Sequence, residues 1–234
     1  RTTLAQGGSR AVGNVYAPSA RKPDFIKESP DLIVTVGVSA AQELVAQNLP
    51  TPVLAILIPR QAFEKIGRQR DYKLFSAIFL DQPLARQMEL IRLAMPDRSR
   101  VGVVLGPESL GVLKSLQAAA SEAKLGLAVE KISAAEELLP ALQRVLADSN
   151  VLLAMPDPLV FNKGTVQSLL LSTYRYQDPV IGFSHAYVKA GALASVHTTP
   201  EQVGRQGGEV VLRAMGSRPI WLTPPEHPKF FTIS

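Results

Sequence analysis

Residues 179–215 read PVIGFSHAYVKAGALASVHTTPEQVGRQGGEVVLRAM, and their reading decides the fold. Val180-Ile181-Gly182 is a short apolar run of the kind that forms a strand buried on both faces. Phe183-Ser184-His185 follows at its C-terminal end, where open α/β sheets place ligands. Lys189-Ala190-Gly191 reads as a turn and residues 192–196 as a second apolar strand. Thr198 or Thr199 then caps a helix over 200–215, with Pro200 at the first helical position. The block is strand, site loop, strand, long helix.

The preceding sequence repeats this alternation. Strands are expected at 32–36, 52–58, 74–80, 101–105, 127–132 and 151–155. Helices are expected at 40–47, 84–94, 110–123, 134–147 and 165–175, with 59–70 a polar, basic helix or loop. Leu84, Met88, Ile91 and Met95 share one helical face, and Leu138, Leu139, Leu142, Val145 and Leu146 form a stripe read as core. Ser133 and Glu136 have capping-box spacing. Strands alternating with helices of this length imply parallel sheets built from βαβ units. Residues 219–228 are Pro-rich and hold Trp221, and 229–233 reads as a final strand. At the other end, residues 1–6 read as a helix end stopped by Gly7-Gly8, followed by a strand at 11–16. No strand is expected before Ala11. An α/β lobe normally opens on a strand, so the first lobe reads as N-terminally truncated.

Composition narrows the function. The chain has no Cys, which excludes disulfides and thiol chemistry, and its three His are dispersed, which argues against a dedicated zinc site. The net charge of +5 is scattered rather than gathered into a basic stripe with aromatics, so nucleic acid is not an expected partner. No apolar run approaches the ~18 residues of a membrane span. There is no G-x-x-x-x-G-K-[ST] phosphate loop and no G-x-G-x-x-G after a strand, so no nucleotide cofactor is expected.

Two ordered blocks carry a resemblance. PDLIVTVGVSAAQ (30–42) is similar to a block PDLIVAxGxxAAQ. Gly182, Phe183, residues 188–196, Glu201, residues 204–206, Glu209 and Gly216 match a C-terminal signature of the same family. The chain resembles the type 1 periplasmic substrate-binding proteins of ABC transporters. The resemblance implies an α/β fold of two Rossmann-like lobes with parallel sheets joined by a hinge. It divides the chain into 1–83 plus 192–217 and 84–191 plus 218–234, since strand 192–196 and the helix after it resemble the family's return to lobe one. It also implies a small-molecule ligand, a permease partner, a periplasmic or extracytoplasmic location and no catalysis.

The residues at the C-terminal ends of the expected strands fit that implication. Val38-Ser39, Asp81-Gln82, Glu108-Ser109, Asp157 and Phe183-Ser184 would share one sheet edge in each lobe. Ser39 and Ser109 precede helices whose free N–H groups suit a carboxylate. Asp81, Glu108 and Asp157 suit an ammonium group. Phe79, Phe183 and Tyr187 offer an apolar wall. The mixture favours a small amino-acid-like zwitterion; the alternative is that these are ordinary caps and turns. A ligand-sensing or interaction module would use the same residues. A serine hydrolase is a further alternative, because 182–186 nearly matches G-x-S-x-G. No Asp follows Ser184, however, so its acid would have to be Glu201 or Glu209.

Overall fold

The computed structural model describes the backbone of Thr2–Gln6 and Ser9–Gly13 and residues 29–68 and 70–234. The chain forms two compact units, residues 1–81 with 198–230 and residues 82–197 with 231–234.

The first unit opens on strands β1 (Thr2–Gln6) and β2 (Ser9–Gly13), paired antiparallel with Gln6 opposite Ser9. This corrects the expectation of a helix end at 1–6 and of no strand before Ala11. Five residues are too few to nucleate an isolated helix. Two Gly between short runs, one of them carrying Thr2-Thr3, are instead a hairpin signal. Asn14 to Tyr16, the rest of the expected strand, lie outside the described residues.

Strands β3 (Ile33–Val36), β4 (Val53–Ile58) and β5 (Phe75–Phe79) form a parallel sheet in that order. Helices α1 (Val38–Ala46) and α2 (Arg60–Gly67) cover one face: Ala41, Leu44 and Phe63 pack with Ile33, Val53, Ala55, Phe75 and Ala77. The long helix, here α8 (Pro200–Met215), covers the other through Val203, Val210, Val211 and Ala214 against Leu54, Ile56 and Ile78. Burial on both faces is why VLAILI in β4 is continuously apolar. Coverage by α8 ends at β4: Val34 and Val36 lie beside Leu54 and Ile56 in the register yet are exposed. Thr199 caps α8, accepting from Gln202 N, while the Gln202 amide oxygen accepts from Thr199 N.

In the second unit, β6 (Arg100–Leu105), β7 (Gly126–Lys131), β8 (Val151–Leu153), β9 (Val180–Gly182), β10 (Ala194–His197) and β11 (Thr232–Ile233) form one sheet. The order is β7-β6-β8-β9-β10-β11, parallel except for β11. Helices α3 (Leu84–Ala94) and α4 (Leu113–Glu122) bury Met88, Ile91, Leu116 and Ala120 on one face. Helices α5 (Leu138–Ala147) and α6 (Val166–Tyr176) bury Leu142, Val145, Leu146 and Leu169 on the other. Of the expected stripe in α5, Leu139 is exposed, because Ala141 takes the place on the core face. Ser133 does not close a box with Glu136; its N–H donates to Glu137 Oε2 at 2.7 Å, and Ala135–Glu137 is a single 3-10 turn.

Two boundaries differ from the expected division. Residues 192–197 belong to the second unit, since Ala194 and Ser195 pair with Ile181 and Gly182 of β9. Residues 218–230 belong to the first. There Leu222 N donates to Lys73 O, Glu226 N to Ala77 O and the Ser76 hydroxyl to Thr223 O, so the Pro-rich passage is tied along β5. The expected turn 189–191 is the end of a short helix α7 (His185–Ala190), closed by Gly191 at φ +123°.

Candidate functional site

A parallel sheet collects the loops that follow its strands at one edge, so each unit has its own set. In the first unit β3 turns into α1 through Gly37 at φ +85°, a conformation that disfavours a side chain. The N-cap of α1 is Gly37, which has no side chain to cap it; Ser39 in its first turn is exposed and Val38 is half-buried. At the next loop the Asp81 carboxylate accepts from Arg60 N at 2.6 Å and so caps α2. The His227 Nδ1–H donates to Asp81 O at 2.9 Å. Phe79, expected as an apolar wall, is a core residue, packed edge-on to Phe63 and His227. Its position at the last place of a strand buried on both faces accounts for that.

In the second unit the loops after β6 and β8 are joined by a buried carboxylate. Asp157 and Ser109 are each 3% exposed. Asp157 Oδ2 accepts from Ser109 N at 2.8 Å and from the Ser109 hydroxyl at 2.9 Å, and Oδ1 accepts from Leu159 N at 2.9 Å. The Ser109 oxygen in turn accepts from Gly106 N at 3.0 Å. Asp157 and Ser109, read from sequence as ligand groups, are thus brought together, but they satisfy one another and the local backbone. Glu108, beside Ser109 in the chain, is exposed. Gln82 is buried and accepts from Arg86 NH1 at 2.5 Å; the Arg86 guanidinium lies over the Phe231 ring.

After β9, Phe183 and Tyr187 meet with ring centres 4.5 Å apart, and both meet the edge of Phe161. Burial pushes the Tyr187 phenol up. Gly182 is required here: a Cβ on it would lie 2.7 Å from Tyr187 Cβ. Ser184 precedes α7 in extended conformation, and among the described residues no hydrogen bond joins its hydroxyl to a histidine or an acid. The elbow-like 182–186 stretch thus shows no nucleophile–base hydrogen bond among the described residues.

Two features were missed in the sequence. His185 and His197 face each other with ring centres 6.0 Å apart, and His197 Nδ1 is 3.1 Å from the hydroxyl of buried Ser195. Adjacent parallel strands end side by side, so one His at such an end and one just past the neighbouring end were a usable signal. Burial first, then proximity to His185, holds the His197 imidazole below its usual range.

The second lies at the opposite sheet edge. Asp178 is 6% exposed, its Oδ2 has no partner among the described residues, and Oδ1 is 3.7 Å from Arg98 NH1. Burial holds its carboxyl above the usual range, against the pull of Arg98. A folded pKa above the unfolded one means the associated stability is fully present below the ordinary carboxylate pKa and is lost as pH rises through the folded value. Asp178→Asn is therefore expected to raise stability near neutral pH by about 1 kcal/mol, by removing an unsatisfied buried charge. It should also flatten the fall in stability between acid and neutral pH. Urea unfolding of both proteins across that range checks this; a variant less stable than the parent at neutral pH refutes it.

The two discontinuous α/β units with parallel sheets define the class: the fold is that of the type 1 periplasmic binding proteins. The family described as ABC transporter substrate binding protein matches residues 8–230, and the chain belongs to it. Solved structures agree in fold. An open, ligand-free substrate-binding protein with adhesive properties from Clostridium difficile is 18% identical, with 89% of this chain and 72% of that one covered and a TM-score of 0.72. An ABC domain from Streptococcus pneumonia in complex with L-Trp is 18% identical over the same shares, with a TM-score of 0.61. A solute-binding protein from Actinobacillus succinogenes with bound D-allose is 15% identical, covers 90% and 79%, and has a TM-score of 0.54. None of the curated proteins compared with the sequence shows significant similarity. No helix of the described residues is long and apolar enough to cross a membrane.

Proposed function

We propose that this chain is the solute-binding component of an ABC transport system, working outside the cytoplasm and handing a small amino-acid-like ligand to a permease. The observation that carries the reading is family membership over residues 8–230. The complex of a fold relative with L-Trp supports an amino-acid-like ligand, as does the chemistry of the loop residues that keep free groups. The N-terminus of α1 at Ser39, whose N-cap is Gly37, suits a carboxylate. Exposed Glu108 suits an ammonium group, and Phe183 with Tyr187 suits an apolar side chain. Asp157 is omitted because its oxygens are engaged within its own loops.

A melting screen over amino acids, aromatic acids, sugars, amines and inorganic anions tests this. An amino acid at a hundredfold excess over its Kd is expected to stabilise the protein by about 2.7 kcal/mol. Tyr187→Ala should weaken that binding by tenfold or more without changing the melting point of the free protein as much as a core truncation does. A response confined to sugars or anions rejects the amino-acid-like ligand and leaves a solute-binding protein. No response in any class, with purified permease also failing to recruit the protein, rejects the transport reading.

A further inference from the structure

We propose that His185 and His197 form a site for a borderline divalent cation such as Zn²⁺ or Ni²⁺, each supplying one imidazole nitrogen. The proposal stands apart from the solute-binding reading and needs only the second unit. A metal–imidazole bond of about 2.0–2.1 Å places the ion roughly 3.2 Å from each ring centre, so two rings sharing an ion at the tetrahedral angle have centres about 5.2 Å apart, a separation that a small turn of one ring reaches from the observed one. The observed separation is 6.0 Å, with the rings inclined by 33°. Exposed His185, at the first position of α7, can turn toward the ion, while His197 is held at the end of β10.

The group behind His197 fits the same purpose. A metal on Nε2 requires the proton on Nδ1, and Ser195 Oγ, 3.1 Å away on a fully buried residue, accepts it. Ligating histidines characteristically donate their other N–H to such a partner, which fixes tautomer and ring orientation. Among the described residues no group of three or more His, Cys, Asp or Glu could hold a metal. The protein thus supplies two ligands, and water or a solute with its own donors takes the other positions. An open site of that kind captures ligands rather than staples a fold.

The chain has no Cys and three His, so the background for thiol and imidazole binding is low. The untagged protein is titrated with ZnCl₂ and NiCl₂ by calorimetry near neutral pH. One ion per chain is expected, with affinity reduced at least tenfold in His185→Gln and in His197→Gln. Ser195→Ala should weaken binding about tenfold by freeing the ring, and His227→Gln should leave it unchanged. His185 is exposed, and circular dichroism of His185→Gln verifies that the fold is kept. Equal affinity of the parent and His185→Gln, or loss of binding in His227→Gln, overturns the proposal.

Discussion

Replacing Asp157 with alanine is expected to destabilise the protein by about 2–3 kcal/mol with no solute present, because buried donors lose their acceptor. The Leu159 N–H is left without a partner, and the Ser109 N–H and hydroxyl lose the carboxylate they share. Gly106 O, 3.2 Å from Ser109 N and 3.4 Å from its hydroxyl, recovers part of the loss. The same carboxylate joins the loops after β6 and β8, so its removal also frees two segments the fold must order. Urea unfolding should show a lower midpoint at unchanged slope, the mark of a stability change rather than a change in the surface exposed on unfolding. Asp157→Asn keeps the shape and one good acceptor and should cost less. If Asp157→Ala left the midpoint in place, the carboxylate would not be structural and a direct role toward solute would return.

Gly106→Ala is expected to cost about 2–3 kcal/mol through overpacking against that carboxylate. A Cβ at Gly106 would lie 2.4 Å from Asp157 Oδ1 and 2.6 Å from both Cγ and Oδ2. An exposed side chain would swing away. Asp157 cannot, because Ser109 and Leu159 hold both oxygens. The two changes should therefore be strongly non-additive. In an Asp157→Ala background the clash partner is gone, and adding Gly106→Ala should cost less than about 1 kcal/mol. An unchanged cost in that background would place the strain in the backbone of the 106–109 turn rather than against the carboxylate.

These residues also show where sequence reading stops. Ser109 and Asp157 stand where a ligand would meet them, at strand ends, and nothing in the linear order tells a group facing solvent from one facing its neighbour loop. The difference is made by the packing of two loops far apart in the chain, which brings a carboxylate within reach of a helix-starting N–H. Phe79 was misjudged for a related reason: a strand-end aromatic borders either a site or a core, and α2 with the His227 segment encloses it.

By itself the sequence determined the class of the fold. Apolar runs of strand length alternate with helical stripes, and that local periodicity leaves parallel α/β layers as the arrangement that buries both faces of each strand. It determined the start of α8 as well, because Thr199, Pro200 and Gln202 act within one turn. Tertiary structure alone decided which unit owns β10 and the Pro-rich passage. Their assignment rests on ladder bonds to β9 and to β5, partners chosen by docking and not by neighbours in sequence. It alone brought His185 to His197, left Asp178 Oδ2 without a partner among the described residues and ended the cover of α8 at β4, since each depends on what a distant segment supplies or withholds.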